Sequence, residues 1–557
     1  MGGPILPQDI MLLICQELGA RHDFTSLYRC STVSRRVASI AVEQLYSVIE
    51  VMDPFIEDKR QTAQLWRSII LSSLGVTIYP YCAYIRALSL GNLVECLDDF
   101  RLDQSLRDDF FEGPMQEFQV LREISRPVRS RSARQPPLDT AAITSKCADS
   151  ITQYIKGLAD NNGTTVALTH LEASHYPPDV LPIWISRLST LKALRLRDGS
   201  VLNTEVGRAI AQGCPSFAEL TCLHCSSETA AEDMANFLLT LRPNTLRRFE
   251  VLSRNTLNEF TLAALSTHSE SLQALNLGGL ESSAFKSLHL LSKCTALEVL
   301  LIEKATTSGD MDSSILSEVE LGQVAGWISS CKALRELSFF RILDSVLILH
   351  QVLQAPDIRL VQLTIQNYRQ VSEGIIETTW RALGEQTQLE SFTIGAHDSW
   401  SGHPDPTFSQ SPELVNAICR LSNLTTLNLM EADVSSAEIH RIITALPRLE
   451  ELTVGGDAVD SSVLEPLSRL PKLVSLAFNA ATKFTFREIW DFAHNLDMVT
   501  NRGIRLDVLT QWATAKLSEQ EERRLGSYFV NNLNGRFAIS YAYDPDELHE
   551  SDFTDSD

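Results

Sequence analysis

The amino-acid sequence predicts an α/β solenoid, a stack of strand-plus-helix units, entered through a short helical module. Three observations predict it. An apolar triplet with fixed internal spacing recurs through the chain, segments with a helical apolar period lie between the triplets, and the first fifty residues follow a purely helical pattern of their own. At 557 residues and 44% hydrophobic content the chain has material for a large core. A repeat stack adds core unit by unit, so one array can fill most of such a length.

Residues 1–50 are read as a module of three short helices. Pro7 suits a first helical turn, where its missing N–H costs nothing, and Asp9 places a negative charge at the positive helix end. Ile10, Leu13, Ile14 and Leu18 then make one apolar stripe at three- and four-residue steps. After a polar break at Arg21 to Asp23 the pattern continues through Leu27, Cys30 and Val33, then Val37, Ala38, Ala41, Leu45 and Tyr46.

On these residues the stretch resembles an F-box. Leu6, Pro7, Asp9, Ile10, Ile14 and Leu18 match its opening, and Leu27, Cys30, Val33, Ser34, Ala38, Ala41 and Leu45 match its later positions. A tryptophan common near the third helix of the family is missing, with Val42 and Leu45 nearby instead. The resemblance implies docking on the Skp adaptor, and through it on a cullin-RING ubiquitin ligase, with this chain presenting a target for ubiquitin transfer. It implies Leu6, Pro7, Asp9, Ile10, Ile14, Leu18, Leu27, Val33 and Leu45 as adaptor-binding residues. Helices in this place would also cap the open end of a repeat core. That role would stand alone in a scaffold that engages no cullin.

Residues 51–164 are read as linker helices, early irregular repeats and a flexible basic loop. A loose triplet lies at Ile85/Leu88/Leu90, and "LYSVIEV" is a candidate first strand. Residues 91–150 break the period and contain "REISRPVRSRSARQPP", five arginines among serine and proline, a composition that buries too little surface to order itself.

Residues 165–480 carry the repeat. The triplet, apolar at positions one, four and six, is read at Leu191/Leu194/Leu196, Leu220/Leu223/Cys225, Leu246/Phe249/Val251, Leu272/Leu275/Leu277, Leu297/Leu300/Ile302 and Leu334/Leu337/Phe339. It continues at Leu360/Leu363/Ile365, Leu389/Phe392/Ile394, Leu424/Leu427/Leu429, Leu449/Leu452/Val454 and Leu473/Leu476/Phe478, with a looser copy at Leu168/Leu171/Ala173. Successive starts lie 29, 26, 26, 25, 37, 26, 29, 35, 25 and 24 residues apart. That period resembles the longer, helix-containing leucine-rich repeats. Residues two apart share one face of a strand, so the last two apolar positions point inward together and the residues between them point outward. Segments such as "ETAAEDMANFLLTL" and "SSAEIHRIITAL" supply the helices, each beginning near residues that favour a helix N-terminus.

Residues 481–543 read as a strand-helix-strand cap, with Ser518 and Glu521 at capping-box spacing. Residues 544–557 form an acidic tail, expected to be disordered, holding Asp544, Asp546, Glu547, Glu550, Asp552, Asp555 and Asp557.

The outward strand positions nominate a target-binding surface. A basic group, Arg195, Arg197 and Arg248, precedes an apolar group, Leu252, Leu301, Phe340 and Met430. Two insertions, 303–316 and 395–412, directly follow strands; the second offers His397, Trp400, His403 and Phe408.

Formal charge is 48 minus 70, or −22, which disfavours nucleic acid as a partner. Eleven scattered cysteines read as free thiols of a reducing compartment, and the start "MGGPILPQDI" resembles no secretory signal. A cytoplasmic or nuclear chain without membrane attachment is expected; Gly2 lacks the Ser or Thr that a myristoylation motif needs, since position six is Leu6. Cys222 and Cys225 have the spacing of half a zinc site, with no second pair at zinc-site distance. No phosphate loop, dinucleotide fingerprint or nucleophile elbow is present. The reading is a recognition protein without catalysis, cofactor or metal.

Overall fold

The computed structural model describes residues 6–48, 59–100, 103–122, 137–162, 166–173, 179–225, 227–305, 316–368, 371–396, 412–432, 434–455, 459–511 and 516–542. It divides into two compact units, Met1–Leu272 and Gln273–Asp557. Both are built from parallel strands alternating with helices, and the repeats form a leucine-rich-repeat solenoid.

The first unit opens with α1 (Gln8–Ala20), α2 (Phe24–Ser31), α3 (Arg35–Val48), α4 (Lys59–Ser73) and α5 (Tyr81–Tyr84). Its strands are β1 (Ala87–Ser89), β2 (His170–Ala173), β3 (Ala193–Asp198), β4 (Glu219–His224) and β5 (Arg248–Val251), paired parallel in chain order. Leu88, Leu171, Leu194, Leu220 and Phe249 align across all five and are fully buried. This ladder is the spine of the unit's core.

Between β1 and β2 lie α6 (Leu90–Asp99), α7 (Gln104–Phe111) and α8 (Thr140–Asn162). The stretch that breaks the repeat period is therefore largely helical, where a flexible loop was expected. Phe100, Phe110 and Phe111 explain part of the difference, because they pack on one another with ring centroids 5.0 to 6.2 Å apart. Most of the arginine-rich run falls in residues 123–136, outside the described residues. Its two flanks meet in an antiparallel bridge between Leu121 and Leu138.

Two further expectations are corrected. Within "LYSVIEV", Leu45 to Val48 close helix α3 where a strand was expected, and residues 49–51 lie outside the described residues. The fourth repeat is also shifted by three residues. Leu220 aligns with Leu194 and Cys222 with Leu196, so the repeat's triplet is Phe217/Leu220/Cys222, all buried. Leu223 points outward and is 43% exposed.

The second unit holds β6 (Ala274–Leu280), β7 (Val299–Lys304), β8 (Glu336–Phe340), β9 (Gln362–Tyr368), β10 (Ser391–Ala396), β11 (Thr426–Glu431), β12 (Glu451–Gly455), β13 (Ser475–Thr482), β14 (Arg505–Gln511) and β15 (Arg536–Ala542). All pair parallel with their neighbours in sequence. The ladder Leu275, Leu300, Leu337, Leu363, Phe392, Leu427, Leu452, Leu476 and Leu506 is buried throughout. The residues read as a cap do form strand, helix and strand, and β14 and β15 continue the register. Helices here are started by side chains: Ser317 with Glu320, Ser435 with Glu438, Thr485 with Glu488 and Ser518 with Glu521 are reciprocal capping boxes. Helices Phe486–Asn495 and Glu519–Leu533 meet through Trp490 and Tyr528, 5.3 Å apart, with the Arg524 guanidinium 4.3 Å above the indole.

Among the described residues no helix is long and apolar enough to cross a membrane.

Two predictions follow from this packing. A Cβ at Gly455 would coincide with the Met430 carbonyl oxygen on β11. Gly455→Ala should therefore destabilise the second unit by about 1–3 kcal/mol, read from urea midpoints, whereas Gly326→Ala, where a Cβ meets nothing, should not. In the first unit the fully buried His268 accepts the Leu246 amide on Nδ1 and directs Nε2 at the Leu238 carbonyl. Burial holds its pKa below the ordinary 6.5. The unfolded chain takes up this proton first, so the contribution is present above 6.5 and is lost as pH falls toward the lowered folded value. Unfolding midpoints at pH 7.5 and 5 should differ less in His268→Gln than in the parent.

Candidate functional site

In the N-terminal module, Cys15, Leu27, Ile40 and Ala41 are buried together, and Met11, Leu18, Cys30 and Leu45 pack against them. The inward face of α1 is thus Met11, Cys15 and Leu18, spaced four and three apart. The sequence stripe is divided by this arrangement. Leu18 turns inward, while Ile10, Leu13 and Ile14 are 43, 59 and 44% exposed, with Leu6 just before them at 51%. Asp23 starts α2 by accepting the Ser26 amide, and hydrogen bonding from Ser26, its side chain first and its amide second, holds the Asp23 carboxyl below its ordinary pKa.

Of the residues nominated for adaptor contact, Leu6, Pro7, Asp9, Ile10, Ile14 and Val33 lie on the surface. Leu27 has no exposed surface and fastens α2 into the module core, and Leu18 and Leu45 are partly buried beside it. Sequence reasoning left Leu12, Leu13 and Tyr28 off the contact set, although they are 36, 59 and 64% exposed. For Leu13 the signal was present, since it stands beside Ile14 in the same apolar stripe of the sequence. Tyr28 carried none, since it adjoins Leu27 and only the packing tells the two apart.

A second feature lies on the outward face of β2 to β5, where α6 and the start of α8 wall a groove of about 810 Å³. One outward row reads Glu172, Arg195, Thr221, Glu250 by register. The next holds Arg197, Leu223 and Leu252, the last continuing the ladder through its amide to the Cys222 carbonyl at 2.9 Å. The basic group read from the sequence is therefore mixed in charge. Arg248 is bound to Glu250 at 2.8 Å and lies 3.9 Å from Glu219, outside the groove lining. Glu95 and Asp98 of α6 add carboxylates that the repeat pattern could not announce, because they come from the insertion.

The apolar half of the nominated surface belongs to the second unit and is dispersed there. Leu301 registers with Asn276 and Ser338, Phe340 with Glu303 and Gln366, and half-buried Met430 sits four strands along from β7. Trp400, like His397, His403 and Phe408, lies outside the described residues, as do 306–315 of the other insertion.

Cys222 and Cys225 are fully buried, with Cys225 pushed up to about 12 by burial first and by nearby Asp198 and Asp233. Gly199 packs against both sulfurs. His224 instead faces Asp198, with Nδ1 3.6 Å from the carboxylate. Thiols raised in this way are poorly suited to metal, which takes the thiolate. Among the described residues no three His, Cys, Asp or Glu side chains gather as a metal site.

No family model matches the chain, and no curated protein matches it. Solved structures do. One is the yeast Rad7 and Elc1 complex, at 15% identity over 60% of this chain and 84% of that chain, TM-score 0.39. A second is the TLR13-ssRNA13 complex, at 14% identity over 68% of this chain and 56% of that one, TM-score 0.32. A third is the leucine-rich repeat-containing protein LegL7 from Legionella pneumophila, at 12% identity over 65% and 97%, TM-score 0.30.

The division of α1 into two apolar faces is directly measurable. Leu27→Ala should cost about 2–5 kcal/mol of module stability, because it opens a cavity in a small core. Ile10→Ser with Leu13→Ser should shift stability by about 0.5 kcal/mol or less. Comparable losses in both variants, in urea unfolding followed by circular dichroism, would contradict the assignment of faces.

Proposed function

We propose that this chain is a substrate receptor of a cullin-RING ubiquitin ligase, docking the Skp adaptor through α1 to α3 and holding a target protein with its repeats. The observation that supports the reading most is the outward face of α1. Leu6, Ile10, Leu13 and Ile14 are exposed on a module whose core is complete without them. Apolar side chains gathered on one helix face, and unused for packing, are what an adaptor groove would cover. The F-box-like opening places Pro7 and Asp9 at the start of the same helix.

In this reading the chain carries no chemistry of its own. Ubiquitin transfer takes place on other subunits, and the receptor's contribution is to bring a target close to them, in the cytoplasm or nucleus. The net charge of −22 favours protein over nucleic acid as that target.

The test is reconstitution with purified Skp adaptor and cullin. The parent chain should retain both on affinity resin. Leu6→Ala with Pro7→Ala should reduce capture, and Ile10→Asp with Ile14→Asp should lower it at least about tenfold, since each places a charge in an apolar contact. A folded parent chain that captures no adaptor, yet still binds a partner through its repeats, would replace this reading by that of a repeat scaffold outside any ligase.

A further inference from the structure

The groove of the first unit joins two kinds of side chain that the repeat core does not use. The guanidinium groups of Arg195 and Arg197 have no hydrogen-bond or ion-pair partner among the described residues. They are two residues apart on β3, hence on one face and roughly 6.5 Å from each other along the strand. Beside Arg197 on the same outward row stand Leu223 and Leu252, 43 and 42% exposed. Neighbouring strands are about 4.8 Å apart, so the two leucines lie roughly 5 and 10 Å from Arg197 across the sheet.

The surrounding carboxylates set the other half of the specificity. Both oxygens of Glu250 are engaged, one by Thr221 Oγ1 at 2.9 Å and one by Arg248 at 2.8 Å, and Glu172 accepts the Ser89 hydroxyl at 2.9 Å. These acids do not neutralise Arg195 and Arg197 by contact, but with exposed Glu95 they keep the groove from being a basic channel. A strongly anionic ligand would meet them as repulsion.

We propose that this groove binds an extended target segment in which a single acidic residue stands two positions from a large apolar one. The carboxylate is held by Arg195 and Arg197, and the apolar side chain lies on Leu223 and Leu252. In an extended peptide, residues two apart share a side and are about 6.6 Å from one another, within the span from Arg197 to the leucine pair. Charged hydrogen bonds from guanidinium fix the acid, and burial of the exposed leucines supplies the apolar share. Lining carboxylates discriminate against runs of acid. The inference rests on the reading that the repeats hold a target, and it names the target's recognition chemistry.

The experiment uses the full chain and fluorescein-labelled nine-residue peptides in anisotropy titrations. The probe has one aspartate and one leucine two positions apart in a serine background. Comparators replace the aspartate by asparagine, replace the leucine by serine, replace every serine by aspartate, or replace the aspartate by phosphoserine. The probe should bind best, with either single replacement weakening it about tenfold. Arg197→Glu and Leu252→Ser should each impair binding similarly while the melting curve stays unchanged, and Glu95→Gln should improve only the polyaspartate peptide. Equal binding by the probe and the polyaspartate peptide, tenfold tighter binding of phosphoserine, or indifference to Arg197→Glu would each overturn the proposal. Adaptor capture is measured on the same variants and should be unaffected, so failure of the docking face and failure of the groove are seen separately.

Discussion

One backbone carbonyl at each repeat accepts two amides from the next, and this doubled bond governs what every other residue of the solenoid can do. In the first unit Arg86, Thr169, Lys192 and Ala218 each receive such a pair, at 2.7 to 3.1 Å. In the second unit Gln273, Glu298, Arg335, Val361, Glu390, Thr425 and Glu450 do the same. The bond lies just before each strand, so it sets the register before any side chain is chosen. A one-residue slip would exchange inward and outward residues throughout a strand. The register therefore explains why the leucine ladders are continuous within each unit. Toward the end of the chain the doubled bond becomes single, at Val474 and Ile504, where β14 and β15 complete the array.

With the register fixed, core and recognition are separated by a single position in sequence. Leu194 and Leu196 are core while Arg195 and Arg197 are surface, and the same alternation places Leu223 outside although Cys222 is fully buried. Inward positions are constrained by the ladder and by close approaches such as Gly455 against Met430. Outward positions meet no such demand, which leaves them available for binding chemistry. The two candidate surfaces use this freedom differently. On α1 the helical period puts apolar residues on both sides of one helix, and only the inner set is consumed by packing. On the strands an inserted helix supplies a wall that turns an open sheet face into a groove.

The architecture was legible because its signal is periodic. Eleven triplets state both the strand positions and the side of each strand that faces inward, and helix starts such as Ser435 and Ser518 are written in capping chemistry. What misled was local degeneracy. Phe217/Leu220/Cys222 and Leu220/Leu223/Cys225 both satisfy the pattern, and only pairing with β3 separates them. "LYSVIEV" is rich in residues that strands favour, but the amphipathic run before it carries α3 through Val48. The insertion at 91–150 has no repeat to announce it, and its order comes from aromatic packing among Phe100, Phe110 and Phe111. Charge was the least legible quantity. Three arginines looked like a basic patch because the acids in the row of Arg195, Glu172 and Glu250, come from other strands, and strand pairing alone brings them alongside.

Charge pairing also decides what kind of recognition such a surface can perform. Surface ion pairs contribute little to stability, because exposed charges are well solvated. Arg248 bound to Glu250 thus adds little to the fold, yet it occupies a carboxylate oxygen that could otherwise meet Arg195 or Arg197. Two guanidinium groups remain available in a groove whose lining also carries four acids, Glu95, Asp98, Glu172 and Glu250. An ungoverned basic surface would attract polyanions over long distances, whereas a groove that sets acids around its two arginines responds mainly to a ligand that fits at contact distance. A receptor on a chain of net charge −22 needs the second property, since selectivity then depends on the spacing of one acid and one apolar residue and not on bulk charge.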